Sequence, residues 1–460
     1  MKNKLFGLPV YMIPTIFALA LPTIMEQIMQ TAVQYIDTAM VGSLGTDATA
    51  AVGSTTTIYW LIGSTVSAIG VGFLAYISRA IGAGDSEKAK KASAQAVLAV
   101  IVSGIFFTVL ACSLSGVIPS LMQVKEHIRP VASRYFLIIY LPMLPRAAIT
   151  IFGTVLRSAG DTKTPMKVGI AVNVINVVLN FFFIYPSRTA DIFGLSVFIP
   201  GVGMGVIGAA AASAVSFVVG GIIITAALFR HPVLSPVGYS FKPDREVLIP
   251  CFRVALPNGL QRFGTCLGYV VFAAMINSLG ETSTATHTIA NTVESAFYIP
   301  GYGMQTAAAT LSGNALGARD RKKLSDLSKM IIPIEVLLMI ITGGLLFLTA
   351  PYAMRIFSDD PEVISLGATV LRMVALSEPF YGVSIIIEGI MMGVGKTVMP
   401  FVTNITGMWA IRIVGTFICT VILGYGLVSA WACMILHNIM LFVVFCVYFT
   451  SQKWNPFYEK

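Results

Sequence analysis

The sequence predicts an all-α membrane protein: about 12 transmembrane helices in two six-helix lobes related by a parallel internal repeat. Three observations predict it. Of 460 residues, 56% are hydrophobic and only 11% charged, and the mean hydropathy is +0.83, so most of the chain has lipid as its solvent. Apolar runs of about 20 residues, the length that crosses a bilayer, recur from one end to the other. The chain also repeats itself at a shift of 235 residues.

In order, the expected spans lie near 14 to 42, 51 to 78, 92 to 122, 132 to 156, 167 to 187, 202 to 229, 249 to 278, 284 to 313, 328 to 352, 364 to 393, 399 to 424 and 427 to 450. The start (Met1, Lys2, Asn3, Lys4, then apolar residues) mimics a signal peptide, but the first span belongs to the repeat, which argues for an uncleaved helix. A lobe from 1–230, a cytoplasmic linker at 231–248 and a second lobe from 249–460 follow. The linker is marked by Pro232, Pro236, Gly238 and Pro243 among mixed charges.

With the N-terminus in the cytoplasm, basic residues gather on that side, among them Lys2, Lys4, Arg79, Lys88, Lys90, Lys91, Arg157, Lys163, Arg230, Arg245, Arg319, Arg321, Lys322, Lys323, Lys396 and Lys460. The other side keeps Lys125, Arg129, Arg134, Arg188 and Arg355. The bias, about 20 to 5, places both termini inside a multi-pass cell membrane protein. The net charge of +9 is thereby a topology signal and not a nucleic-acid footprint, since no basic block is interleaved with aromatics. Cys112, Cys251, Cys266, Cys419, Cys433 and Cys446 show no paired spacing, so no disulfide framework or metal site is expected.

The repeat aligns Ala20, Leu21, Pro22 with Ala255, Leu256, Pro257, and Ser43, Leu44, Gly45 with Ser278, Leu279, Gly280. Its register holds at Gly82, Ala83, Asp85 against Gly317, Ala318, Asp320, and at Gly160, Thr162, Pro165 against Gly395, Thr397, Pro400. Six spans per half is an even number, so both halves enter from one side and the repeat axis lies along the membrane normal. Two such lobes rocking about a cleft are an architecture for alternating access, which a channel or receptor does not need.

Polar side chains in a span must face protein or water, so their placement carries information. On the first span Gln27, Gln30, Gln34 and Asp37 recur at steps of three and four, with Glu26, Thr31 and Thr38 alongside. The seventh span carries Asn258, Arg262, Thr265 and Tyr269 at the shifted positions of Thr23, Gln27, Gln30 and Gln34, while Asp37 is answered by Phe272. Asn173, Asn176 and Asn180 line one face of the fifth span and offer amide oxygens and donors to an acid or a cation, although Asn also joins helices. His287, Asn291, Glu294 and Tyr298 share a face of the eighth span. Ser377, Tyr381, Ser384 and Glu388 share one of the tenth, with Glu378 and Arg372 nearby. Arg146, Arg262 and Arg412 are expected to partner these acids. The sequence has no GxxxxGK[ST] phosphate loop, no HExxH and no serine nucleophile elbow, so an ion gradient and not bound ATP is the expected energy source, and no enzymatic chemistry is expected.

With these residues in view, the chain resembles the MATE (multidrug and toxic compound extrusion) family of the larger flippase superfamily. The likeness rests on Ala20 to Pro22, Tyr35 to Thr38 and Val41 to Gly45, on Gly82 to Asp85 with its twin Leu316 to Asp320, on Leu156 to Pro165, on Asn176 to Asn180 and on Arg412. The resemblance implies secondary active antiport: export of organic, cationic or amphiphilic small molecules (multidrug efflux) in exchange for protons or sodium ions. It makes Asp37, Asn176 and Asn180 the ion-coupling residues. The candidates for the substrate cavity are Gln30, Gln34, Arg262, Thr265, Tyr269, Glu294, Tyr298, Tyr381 and Glu388. No cofactor is expected beyond the coupling ion, and sodium at Asp37 is the one metal considered. The expected partners are the bilayer and a small-molecule substrate, with no nucleic acid and a monomeric chain. Two departures from the family pattern stand out. Asn180 replaces the aspartate common in the branch resembling the DNA-damage-inducible group, and Thr265 stands where the norfloxacin-exporter branch carries a glutamate. The alternative is a flippase or a dedicated exporter of a lipid-linked or natural-product substrate.

Overall fold

The structure, a computed structural model, describes residues 9–458 other than Gln123, Phe193 and Gly194. Lys2, Lys4 and Lys460 of the charge bias lie outside the described residues. Among the described residues nine helices are long and apolar enough to cross a membrane, and two bent pairs raise this to eleven. The remaining expected span, the eighth, is a 37-residue helix, Glu281–Gly317. It is long enough to cross but carries His287, Asn291, Glu294, Gln305 and Asn314, and this polarity is what separates it from the others.

The first span is Ile13–Gly42, followed by Thr46–Gly82, Ser86–Leu114, the bent pair Arg129–Tyr140 and Met143–Ser158, Lys163–Phe183 and Val206–Arg230. The seventh is Arg245–Asn277. After the eighth come Arg321–Arg355, the bent pair Pro361–Ala375 and Glu378–Gly393, Val398–Ile422 and Leu427–Thr450. The fourth and tenth spans bend by 48° and 51° at corresponding places, next to Pro142 and Pro379, where a proline ring cannot continue the preceding turn. The eleventh span relaxes into π-helical turns at Gly407–Ile413 and Ile418–Ile422.

The backbone repeats as the sequence does. Gly45 and Gly280 have φ of 109° and 105°, and Gly160 and Gly395 have 88° and 79°. Gly84 at 73° is answered by Arg319 at 52°, so the second half keeps a left-handed turn even where it has lost the glycine that makes it cheap.

By packing the chain forms two compact units, Met25–Phe73 with Ser86–Leu248, and Met1–Ile24 with Leu74–Asp85 and Ile249–Lys460. The packing boundary thus differs from the repeat boundary: the end of the second span packs with second-half helices. There Gly82 lies against the Asn314 carbonyl and Gly317 against the Arg79 carbonyl, two contacts exchanged by the 235-residue shift and closed to any larger residue. In the other unit Gly208 meets the Phe183 carbonyl and Gly221 meets Pro145, bringing the sixth span onto the fifth and fourth.

Between the fifth and sixth spans, where a plain link was expected, the strands Pro186–Ile192 and Leu195–Val202 form an antiparallel hairpin with Arg188 opposite Ile199. The 231–248 linker is held on the start of the third span. Gln95 donates to the Lys242 carbonyl at 2.9 Å and accepts from the Asp244 amide at 3.0 Å, and Lys91 pairs with Asp244.

Candidate functional site

The polar face of the first span is present as a helix stripe. Thr31 and Thr38 turn their hydroxyls back to the carbonyls of Gln27 and Gln34, at 3.0 and 2.8 Å, which leaves the long side chains free to project. Gln30 and Gln34 are exposed, whereas Asp37 is half-buried. Asn180, one turn from the end of the fifth span and 1% exposed, donates to Asp37 Oδ1 at 2.6 Å. Asn176, one helical turn earlier, stands between Ser213 of the sixth span and Asp37. With its amide oxygen accepting from the Ser213 hydroxyl at 3.0 Å, its nitrogen donates to the two Asp37 oxygens at 2.9 and 3.1 Å. The spacing of four residues places both amides on one side of one helix, and that side receives the acid. The three residues that the family resemblance joined are therefore neighbours in space. Asn180 Oδ1, in turn, is buried without a hydrogen-bond partner among the described residues.

A second acid of the first span, Glu26, is fixed differently. Arg157 donates to both of its oxygens, at 2.9 and 3.1 Å, with the two side chains 19% and 15% exposed. The arginine expected to partner acids in this half, Arg146, does not do so among the described residues. Its guanidinium lies 3.8 Å over the Tyr59 ring and 5.4 Å from that of Phe217, a setting that suits a weakly hydrated, planar cation.

In the second half the expected cavity residues fall into two groups. Tyr298 and Tyr381 meet around Tyr302, whose hydroxyl is 2.9 Å from that of Tyr381, and the Tyr298 ring packs edge-on to both. Glu388 accepts from Gln261 at 2.8 Å, and Arg262 donates to Asn258 at 3.1 Å. The second group centres on Arg412, in the π-helical turn of the eleventh span. It sits 4.3 Å from the Phe272 ring and 4.8 Å from Tyr269, and donates to the Met434 sulfur at 2.7 Å. The expectation that Arg262 and Arg412 pair with acids is corrected: they act on Glu388 and Glu294 through space, without an ion pair among the described residues. Arg372 is turned away, donating to the Phe347 carbonyl. Thr265 is half-buried, and among the described residues no side-chain bond joins it to these groups.

One acid was missed. Glu335 of the ninth span is wholly buried, and neither of its oxygens has a partner among the described residues. Its signal was a lone glutamate in an apolar run, without the polar companions three and four residues away that drew attention to the other spans.

A family model described as MatE matches residues 22–182 and 257–418, that is, both halves of the repeat. The chain is 27% identical over 441 residues to the "Probable multidrug resistance protein NorM" of Thermotoga maritima, covering 95% of this chain and 92% of that protein. It is 24% identical over 406 residues to the "Probable multidrug resistance protein YoeA" of Bacillus subtilis, covering 86% and 84%. Among solved structures its fold is similar to that of a MOP superfamily transporter from Pyrococcus furiosus, with a TM-score of 0.88 at 22% identity and 95% of each chain covered. A multidrug resistance MATE family transporter solved in an outward-facing conformation superposes with a TM-score of 0.87, again at 22% identity over 95% of each chain.

Proposed function

The chain belongs to the MatE family, and from that premise we propose that it is a secondary active antiporter exporting organic, cationic or amphiphilic small molecules in exchange for protons or sodium ions. One observation carries the coupling half of this reading. Asp37 is a half-buried acid in a span, held by the side-chain amides of Asn180 and Asn176. An ionisable group within a bilayer is costly and is retained where it carries an ion or proton. The export half rests on the names of the similar proteins, which are called multidrug resistance proteins.

In the proposed cycle Asp37 takes the ion from outside as substrate leaves, and releases it inside after the lobes reorient, both termini being cytoplasmic. With the ion bound, the Asp37 charge is compensated and the amides complete the shell. With it gone, two amide donors hold the carboxylate. The ion shifts the balance between conformations only as far as its affinity differs between them, and the substrate does the same in the opposite sense. A lipid-linked flippase would want cations free to meet a pyrophosphate. Here Arg146 and Arg412 are both buried against aromatic rings, which favours the small-molecule reading.

The test is efflux of a fluorescent organic cation from liposomes holding the purified protein, under a proton gradient and, separately, a sodium gradient. Efflux driven by one gradient and lost in Asp37→Asn is the expected result. Full gradient-driven efflux in a folded Asp37→Asn protein would overturn the assignment of Asp37.

A further inference from the structure

Three second-half carboxylates are buried and in no ion pair among the described residues: Glu294 of the eighth span, Glu335 of the ninth and Glu378 at the start of the second segment of the tenth, at 6%, 0% and 2% exposure. Both Glu335 oxygens and Glu378 Oε2 have no hydrogen-bond partner among the described residues. The helices make room for them with glycine. A Cβ on Gly301 or Gly382 would come within 2.7 or 3.2 Å of Glu335 Oε1, and one on Gly343 within 3.3 Å of the Glu378 Cβ. The same Cβ positions would lie 2.5 Å from Met339 at Gly301 and Gly382 and 2.8 Å from the Ala375 carbonyl at Gly343, so three spans close tightly around these acids.

The charges around them do not balance. Glu378 lies within electrostatic reach of both Glu294 and Glu335. Arg412 acts on Glu294, with His437 and His287 beside that arginine. The eighth span also brings the phenols of Tyr298 and Tyr302, and the tenth that of Tyr381. Arg372 is turned to Phe347, and Asp326 of the ninth span is bound at the other end to Tyr11. Three ionised carboxylates facing one guanidinium would leave two uncompensated charges in a membrane span, whereas a neutral carboxylic acid avoids that cost. A metal cation is a poor alternative, since among the described residues no three His, Cys, Asp or Glu side chains are placed to hold one.

We propose that Glu335 and Glu378 form a proton-binding site in the second half, with Glu294 linking it to Arg412. A proton from water bonds to one carboxylate oxygen of the pair and leaves by the same acids, with no other bond changed. The proposal rests on the antiport reading for the use of this proton, but not for its presence. At the shifted positions the first half has Val100, Met143 and Tyr59, so this site has no counterpart beside Asp37.

The experiment is infrared difference spectroscopy of the full chain in lipid across a pH step, following the stretch of protonated carboxyl groups in wild type, Glu335→Gln and Glu378→Gln. Glutamine copies the shape of the neutral acid, so both variants are expected to fold with the wild-type thermal transition. The expected result is a buried-acid band at neutral pH that Glu335→Gln removes and Glu378→Gln shifts or removes. A band unchanged in both variants would overturn the proposal, and if one variant does not fold, the other reads the same band. In liposomes, proton-driven efflux should fall about tenfold in Glu335→Gln. Loss of the band in Glu335→Gln, together with a wild-type protein that shows no gradient-driven efflux, would remove the antiport reading while supporting the proton site.

Discussion

The two halves of this chain share a backbone and differ in where they put charge. Their turns recur residue for residue at Gly45 and Gly280 and at Gly160 and Gly395, yet Asp37 is answered by Phe272, Asn176 by Ile411 and Asn180 by Gly415. The link between the first and fourth spans of the first half is Glu26 with Arg157. The repeat equivalent of Glu26 is Gln261, which instead donates to Glu388 of the tenth span, so the same pair of helices is joined with the acid on the other side. A duplicated scaffold thus fixes where helices cross, while the polar groups in each copy have diverged. The first half holds one acid dressed by amides, another paired with Arg157, and an arginine over Tyr59. The second holds several acids, aromatic hydroxyls and an arginine stacked on rings.

The sharpest way to break that comparison is at the two helix links. Arg157→Met strands Glu26 in a mostly buried setting, for a loss of about 3 kcal/mol. Glu388→Gln keeps an acceptor for Gln261 and should cost about 1 kcal/mol or less. Denaturant unfolding in detergent reads both, and equal losses would mean that the first-half pair is not a stronger tie. A smaller effect is expected at Asn180. Asn180→Ala removes a hydrogen bond to a carboxylate, about 1.5–3 kcal/mol, or roughly ten- to a hundredfold in the affinity for the proposed coupling ion measured by isothermal titration. An unchanged affinity would move the first-half site away from Asp37. Smaller again, Gly82→Ala and Gly317→Ala each push a methyl into a backbone carbonyl, an overpacking of about 1–3 kcal/mol, while Gly42→Ala meets open space and should be neutral in the same unfolding assay. A difference between Gly82 and Gly317 would show that the crossing is not symmetric in energy.

Much of this was legible from the sequence because membrane spans and repeats are written in composition and spacing. Asp37 lies more than a hundred residues from Asn176 and Asn180, but the acid and the two amides each sit on a polar stripe of their helix, and family resemblance brought the stripes together. Arginine partners were not legible. A guanidinium in a span can be satisfied by a carboxylate or by ring faces, and only packing decides, as it does for Arg146 over Tyr59 and for Arg412 over Phe272. Glu335 was hidden for the opposite reason, being a single polar residue without a periodic pattern. The hairpin at Pro186–Ile192 and Leu195–Val202 was lost because its first strand follows almost directly on the fifth span.

The smallest prediction sets the buried Glu26–Arg157 pair against an exposed one of similar chemistry. Lys91 and Asp244 tie the linker to the third span at the surface, where the Lys91 bond, followed by the backbone amide of Glu246, holds the Asp244 carboxyl below its ordinary value of 3.8. A carboxyl depressed on folding contributes fully above its unfolded value and is lost as pH falls through the lower folded one. Hydrogen exchange across 231–245, corrected for intrinsic rates, should therefore stay constant from neutral pH down to that range and quicken only below it. Asp244→Asn should quicken it above that range and match the wild type below it. Because Lys91 is 41% exposed, added salt should loosen the linker in the same way, while leaving the unfolding cost of Arg157→Met almost unchanged, since solvent ions screen only the pair they can reach. If salt weakened both alike, the Glu26–Arg157 pair would be open to water, and the link between the first and fourth spans would be a surface feature and not part of the core of the first half.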